Sequence, residues 1–373
     1  MGSKTIWFHA VSVGEVRAVV PMLSLIQAEA RSRDRVVLST VTVTGQETAR
    51  RECGFVSSIF HFPLDLPFVV GRALKRINPE VFITAETEIW PNFFAACFKR
   101  KIPVIVVNGR ISDSSFSRYF RFRWFFRPIL EQVSLFLMQS GEDASRIVDI
   151  GARPETVKVT GNMKYDRIPE PVSLPEEVEL WAKGGFLLVA GSTHADEEEM
   201  ILDSIDGVEG NPIRLALVPR HPERFNEVAM YLKKAEVPFT RYTDILEGVA
   251  VEGDVLLVDA MGVLEGFYAL ADVAFVGGSL VPVGGHNLLE PAAYDIPVLT
   301  GPHVHNFRDM AEAMIGSGGC WMVEGTMELR SRLLQLKKDP DLQKNMGKMV
   351  GSSAGNMRGA SMKNFEVLKQ ILN

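Results

Sequence analysis

The densest cluster of chemistry-bearing residues in this sequence lies between Phe275 and Pro302, FVGGSLVPVGGHNLLEPAAYDIPVLTGP. An apolar run ends in Gly277-Gly278, a second pair follows at Gly284-Gly285, and His286-Asn287 lead into the helical Leu288-Leu289-Glu290. Glycine pairs permit positive φ and let a ligand approach the backbone. A helix start just after them presents N–H groups and a positive dipole end to a phosphate. Glu290, within the first turn of that helix, is placed to accept hydrogen bonds from ribose hydroxyls. The alternative is that the glycines only connect strand to helix.

Three further strand ends are expected to converge on this junction. Ala190-Gly191-Ser192-Thr193 is a small-residue turn opening an acidic helix, with Ser or Thr as its N-cap. Pro219-Arg220-His221 ends the next run, and an arginine there can grip a phosphate through two parallel hydrogen bonds. Asp259-Ala260-Met261-Gly262-Val263 ends another, where exposed backbone can read a nucleobase edge.

The first half of the chain holds a separate set of charged residues. Glu15 follows the strand-like run Thr5-Ile6-Trp7-Phe8-His9-Ala10-Val11 and opens an apolar-periodic helix marked by Val16, Val19, Val20, Leu23 and Ile26. A carboxylate there complements the helix dipole, worth about 0.3–1 kcal/mol. It also stands where open α/β sheets place their chemistry, at the carboxyl ends of strands. Glu86 ends a second run, at the same sheet edge, with Glu88 close by, and spacing alone does not rank the two. Lys164 lies where the first half passes into a polar, proline-bearing stretch. From the residues alone, a helix cap for Glu86 and a linker ion pair for Lys164 are the favoured readings.

The elements that must position these residues alternate. Strand-like runs over 6–11, 36–43, 59–62, 81–85, 103–108 and 135–139 are separated by helical patterns such as 45–51 and 67–77. Short apolar strands between helices predict βαβ units and a parallel sheet. KYDRIPEPVSLP, 164–175, reads as an interdomain linker. The alternation restarts with runs over 186–190, 214–218, 255–258, 273–276 and 297–300, and with helices over 196–205 and 222–235. The reading is α/β: two Rossmann-like domains, 1–163 and 176–359, with a cleft between them and a last helix over about 360–373 folding back.

Composition narrows the class. With 373 residues, 46% hydrophobic and 23% charged, the chain is long enough for two or three domains with substantial cores. A net charge of −6 argues against a nucleic-acid partner held by a global basic field. Three scattered cysteines, Cys53, Cys97 and Cys320, form no metal pattern and suit a reducing compartment. No apolar run reaches the roughly 18 residues of a membrane span.

These motifs, in this order, resemble those of the Kdo transferase family, which adds 3-deoxy-D-manno-oct-2-ulosonic acid (Kdo) to lipid A. The resemblance runs from VSVGE at 11–15 through AETEIWPN at 85–92, GNMKYD at 161–166, PRH at 219–221 and DAMG at 259–262 to GGHNLLEP at 284–291. It implies a GT-B fold, a CMP-Kdo donor, and inverting transfer to a lipid A precursor (tetraacyldisaccharide 4′-phosphate) in lipopolysaccharide core synthesis. By the same resemblance Glu15 is the proton acceptor, held ionised by the helix dipole, and Glu86 and Lys164 assist at the transition state. A lysine at that place can meet the Kdo carboxylate or the departing phosphate. The donor nucleotide falls to Pro219, Arg220, Met261, Gly262, Val263, Asn287, Leu288, Leu289 and Glu290.

No metal or other cofactor is expected. The only Asp-x-Asp triplet, Asp339-Pro340-Asp341, lies in a polar helical region near the end of the chain. His303 and His305 have no carboxylate at ligand spacing and are assigned to the loop after the 297–300 strand.

Residues 110–127, RISDSSFSRYFRFRWFFR, hold five arginines, seven aromatics and one acid. This mixture suits an interfacial segment, with Arg118, Arg121 and Arg123 toward lipid phosphates and Trp124 at the acyl boundary. The alternative is a half-buried helix with arginines snorkelling outward. The family resemblance favours contact with an anionic inner-membrane surface, on its cytoplasmic face. Family members usually begin with a hydrophobic anchor. Here Met1-Gly2-Ser3 runs almost at once into a strand, which reads as a trimmed start.

Three rival classes fit parts of this pattern. A sugar-nucleotide epimerase of the same fold needs acid and base residues facing the bound sugar, and a donor-hydrolysis or epimer-formation assay separates it. A non-catalytic lipid-binding module needs no nucleotide site, so CMP binding by calorimetry excludes it. A dinucleotide oxidoreductase is disfavoured, because residues 10–15 read AVSVGE where G-x-G-x-x-G is required.

Overall fold

A computed structural model of the chain describes residues 4–30, 34–166, 172–208 and 212–372. These fall into two compact units, one from the segment up to 167 together with 357–373, the other from 168–356. Part of the expected linker (167–171), the first three residues and Asn373 lie outside the described residues.

In the first unit seven strands form one parallel sheet: β1 (Thr5–His9), β2 (Arg35–Thr40), β3 (Ser58–His61), β4 (Val81–Ala85), β5 (Val104–Gly109), β6 (Leu135–Met138) and β7 (Val157–Val159). Their order is β3-β2-β1-β4-β5-β6-β7. β1 and β4 are buried along their whole length, as expected of strands covered on both faces. One face packs Phe8, Val16, Val19, Leu23 and Ile83 together, and the C-terminal helix Ala360–Leu372 adds Ala360, Phe365 and Leu368 to them. The other face is aromatic. Trp7 meets Phe82 and Phe93 edge-on at 5.6 and 5.0 Å.

The second unit repeats the plan with β8 (Phe186–Thr193), β9 (Ile213–Pro219), β10 (Phe239–Arg241), β11 (Val255–Leu257), β12 (Val273–Val276), β13 (Val298–Thr300) and β14 (Cys320–Met322). The order is β10-β11-β9-β8-β12-β13-β14. In each sheet the winding direction reverses once, between β1 and β4 and between β8 and β12. Such a reversal leaves a crevice at the carboxyl ends of the two strands, where open α/β sheets bind ligands. Glu15 and Glu86 follow β1 and β4. The Ser192–Asp196 turn and the glycine-rich loop involve the ends of β8 and β12.

Three strands were not expected from the sequence: β7, β10 and β14, each three residues long and each at a sheet edge. The segment around 110–127 forms two helices, Asp113–Arg121 and Arg123–Leu130, broken at Phe122. Lys164 sits in a 3-10 turn, Met163–Asp166, that belongs to the first unit.

Candidate active site

The helix Val13–Glu29 begins at Ser12, whose hydroxyl caps it by accepting from the Glu15 N–H at 3.4 Å. The Glu15 carboxylate returns the contact, accepting from the Ser12 hydroxyl at 2.9 Å and from the Val11 N–H at 2.8 Å. This is the reciprocal arrangement of a capping box, shifted by one residue. The side chain is buried, at 7% exposure.

The helix dipole was expected to hold Glu15 ionised, and the structure corrects this. Burial pushes its carboxyl up to about 7. The Val11 and Ser12 hydrogen bonds oppose the shift, while the negative charges of Glu86 and Glu88 add to it. A dipole effect on the scale of 1 kcal/mol does not offset desolvation of a carboxylate.

Glu86 follows β4 directly, in the left-handed region at φ 53°, with its N–H bonded to the Val107 carbonyl at 2.9 Å. A non-glycine residue in that conformation is strained and marks a position whose backbone the surroundings dictate. Its carboxylate receives Lys164 Nζ at 2.6 Å. Both side chains are partly exposed. Glu88 is pushed above the usual carboxylate range by burial and then by Glu86. Glu15, Glu86, Glu88 and Lys164 therefore form one electrostatic group within the first unit.

In the second unit the glycine loop is differently occupied from expectation. Glu197, fully buried at the start of the helix Glu197–Ile205, accepts N–H bonds from Gly278 (2.7 Å), Ser279 (2.9 Å), Leu280 (2.9 Å) and His194 (2.9 Å). Gly284 and Gly285 both donate to the Gly278 carbonyl, and Gly277 donates to the Gly191 carbonyl. The N–H groups of all four glycines are engaged within the protein. The glycines are nevertheless required: Gly278, Gly284 and Gly285 have φ of 68°, 111° and 75°, and a Cβ on Gly277 would lie 2.4 Å from the Ser192 carbonyl oxygen. The helix after them, Leu289–Ala292, is a single turn. A macrodipole of useful size is absent there.

Arg220 ends β9 exposed, with its N–H on the Thr193 carbonyl at 3.0 Å. Burial lowers the pKa of His194 and His286, and nearby positive charge, Arg220's included, adds to it. Those two imidazoles stack at 5.1 Å with Nε2–Nε2 at 2.9 Å, and burial, the largest cause, takes His286 down to about 4. His221 lies 5.4 Å from His194. Asn287 accepts from the Leu289 N–H at 3.1 Å and donates to Glu290 at 3.3 Å. Glu290 is half-buried; burial pushes up the Tyr268 and Tyr294 phenols, and the charges of Glu265 and Glu290 add to it. Pro219, Leu288 and Leu289 are buried. Met261 and Gly262 (φ 83°) are exposed and Val263 half-buried, on a loop anchored by Asp259, whose carboxylate takes the Thr243 N–H and hydroxyl at 3.0 and 2.8 Å.

The N-cap expected at Ser192 or Thr193 is not formed. Thr193 lies within β8 and donates to Glu198 at 2.9 Å, and the helix starts only after Asp196. Glu197, His194 and the pairing of His286 escaped sequence reasoning. An acid in the first turn of a helix signals dipole complementation, and only the fold brings Gly278–Leu280 to it, 81 to 83 residues along the chain. His303 and His305 lie in the loop after β13, as expected.

On the segment around 110–127, Arg118, Arg121 and Arg123 are exposed, and Trp124 is 73% exposed. Phe116, Tyr119 and Phe126 pack against the aromatic core face. Arg123 lies over the Phe120 ring at 4.8 Å. The segment is thus anchored on one side and presents arginine and aromatic surface on the other.

Comparison with known proteins agrees with these motifs. The family model for 3-deoxy-D-manno-octulosonic-acid transferase (kdotransferase) matches residues 1–167. The chain is 36% identical over 377 residues to the 3-deoxy-D-manno-octulosonic acid transferase of Haemophilus influenzae, covering 98% of this chain and 87% of that protein. It is 32% identical to that of Bordetella pertussis, again over 98% and 87%. Among solved structures, a glycosyltransferase from Rickettsia africae superposes over 100% of both chains with a TM-score of 0.65 at 14% identity, a likeness of fold alone. The two parallel α/β sheets have the GT-B arrangement. The chain belongs to the 3-deoxy-D-manno-octulosonic acid transferase family.

Proposed function

We propose that this chain transfers Kdo from CMP-Kdo to a lipid A precursor, with inversion and without a metal, in lipopolysaccharide core synthesis at the cytoplasmic face of the inner membrane. The observation that carries the reading is Glu15: a buried carboxyl at the β1/β4 switch point, brought to about 7, beside the Glu86–Lys164 pair. A base with a pKa near the working pH is the efficient choice for proton transfer.

In the reaction the acceptor hydroxyl oxygen attacks C2 of Kdo as the bond from C2 to the CMP phosphate breaks. The bonding pair leaves with CMP, and the acceptor proton passes to Glu15. Lys164 supplies positive charge toward the Kdo carboxylate or the leaving phosphate, both anionic. Arg220 grips the phosphate, Glu290 accepts from the ribose, and the Met261-Gly262-Val263 backbone meets the base.

The test is incubation with CMP-Kdo and the tetraacyldisaccharide 4′-phosphate, with and without excess EDTA. Product mass and the anomeric configuration by NMR are read. A lipid product gaining Kdo with inverted configuration in EDTA supports the transfer, its stereochemistry and its independence of metal. CMP release without a Kdo-lipid product sinks the transferase reading, and restoration by Mg²⁺ after EDTA sinks metal independence.

A further inference from the structure

Lys164 stands on a short 3-10 turn, Met163–Asp166, a conformation that holds little intrinsic stability. The turn is fastened at both ends. At its start the Met163 N–H donates to Asn108 Oδ1 at 2.8 Å, across 55 residues. Asn108 is fully buried at the end of β5, in the left-handed region at φ 53°, and its carbonyl oxygen accepts from Gln139 Nε2 at 2.9 Å. Its Nδ2 has no hydrogen-bond partner among the described residues, so the amide contributes one directed contact, the acceptor at Met163. The Met163 side chain is itself buried in the core face that carries the Val13–Glu29 helix.

At its end the turn is held by Asp166. That carboxylate accepts from the N–H groups of Gly359 (2.6 Å), Ala360 (3.2 Å) and Ser361, at the N-terminus of the helix Ala360–Leu372. That helix packs on the helix bearing Glu15, and Lys369 reaches Glu29 at 2.6 Å. Between the two fastenings, Lys164 extends to Glu86, which is also left-handed and follows β4, the strand beside β5.

We infer that Asn108 and Asp166 are positioning residues that set where the Lys164 ammonium stands. The inference rests on the proposed role of Lys164 at the transition state. A fastening of this kind has catalytic weight because a misplacement near 1 Å can lower a rate by about 10²-fold.

The test is a double-mutant cycle in the full chain, with kcat and the KM for CMP-Kdo measured on Lys164→Ala, Asn108→Gly and the pair. Glycine keeps the left-handed backbone easy and removes only the side chain. The expected result is a kcat lowered on the order of 10- to 10²-fold by Asn108→Gly, with donor KM unchanged. Adding Asn108→Gly to Lys164→Ala should lower kcat by less than about twofold further, since residues acting through one group are not additive. A merely structural role gives losses that multiply, and that outcome overturns the inference, as does wild-type kcat in Asn108→Gly. Lys164→Ala within threefold of wild type is a separate failure, that of the role assigned to Lys164. If Asn108→Gly does not fold, by thermal melting, Asp166→Ala carries the same cycle. Loss of folding in both variants makes the residues structural and also overturns it.

Discussion

Lys164 Nζ reaches Glu86 Oε1 at 2.6 Å from 78 residues along the chain, and the charge of Glu86 in turn adds to the rise of the Glu15 carboxyl that burial begins. Lys164 pairs with one of three carboxylates there, and the other two, Glu15 and Glu88, are raised toward neutrality by burial and by their neighbours. A like-charged group of this kind is costly to a fold and useful to a proton transfer.

The first expectation concerns Glu15 in catalysis. Glu15→Gln keeps size and removes basicity, so transfer should fall by about 10²-fold or more, with CMP affinity nearly unchanged. In the wild-type protein kcat/KM should rise with pH through about 7, as the carboxyl loses its proton. A rate that is flat from pH 6 to 8, or a Gln variant within threefold of wild type, would reduce Glu15 to a helix-start residue.

The same shift has a consequence for stability. The folded-state pKa of Glu15 is raised from the usual 4.5 to about 7, so folding favours its protonated form. That contribution is complete below the unfolded value and is lost as pH rises through about 7. Glu15→Gln loses nothing over this window, so its stability relative to wild type should improve between pH 5 and pH 8 by on the order of 2–3 kcal/mol. Urea unfolding of both proteins at the two pH values reads this directly. A stability difference independent of pH would mean the carboxyl titrates in the ordinary range.

Much of this was legible beforehand, and the misses have physical causes. Strands such as β1, β4 and β12 announce themselves by continuous apolar runs, and the alternation with helices gave two parallel sheets. β7, β10 and β14 escaped because three edge residues carry no period. Glu15 could be placed at a strand end from the sequence, but its protonation could not. Helix starts favour the carboxylate, whereas the burial that reverses this depends on the packing of β1 and on Glu86 and Glu88, more than 70 residues away. The glycine loop has the sequence pattern of a phosphate cradle, but whether Glu197 or a ligand fills it depends on where the chain folds back.

That loop supplies the next expectation. Glu197→Ala removes the acceptor for four backbone N–H groups. Buried N–H groups left without partners cost about 1–3 kcal/mol each, so the second unit should lose roughly 3 kcal/mol or more and melt at a clearly lower temperature. Hydrogen exchange should show the loss concentrated at Gly278–Leu280. An unchanged melting temperature would mean water replaces the carboxylate freely.

For the nucleotide, Arg220→Ala and Glu290→Ala should each weaken CMP binding by about 1–3 kcal/mol in calorimetry, the scale of a charged hydrogen bond. Both changes lie outside the buried core, so folding should be preserved. CMP affinity surviving both changes would remove the second unit as the donor site.

The arginine-aromatic surface carries the last expectation. Phe116, Tyr119 and Phe126 fasten the two helices to the core, while Arg118, Arg121, Arg123 and Trp124 are exposed. An exposed Trp124 and exposed Phe120, Phe122 and Phe125 beside three cations match an anionic lipid surface, where arginines meet phosphates and aromatics meet the acyl boundary. Each arginine contributes about 1 kcal/mol near such a surface, and salt screens it. Replacing Arg118, Arg121 and Arg123 with serine should therefore weaken binding to anionic liposomes by roughly 10²-fold at low salt. It should raise the KM for lipid acceptor and leave CMP binding and the melting temperature unchanged. Trp124→Ala should weaken liposome binding with little salt dependence, since its contribution is apolar. Liposome binding indifferent to the triple change would leave these helices as half-buried scaffold with arginines turned to water.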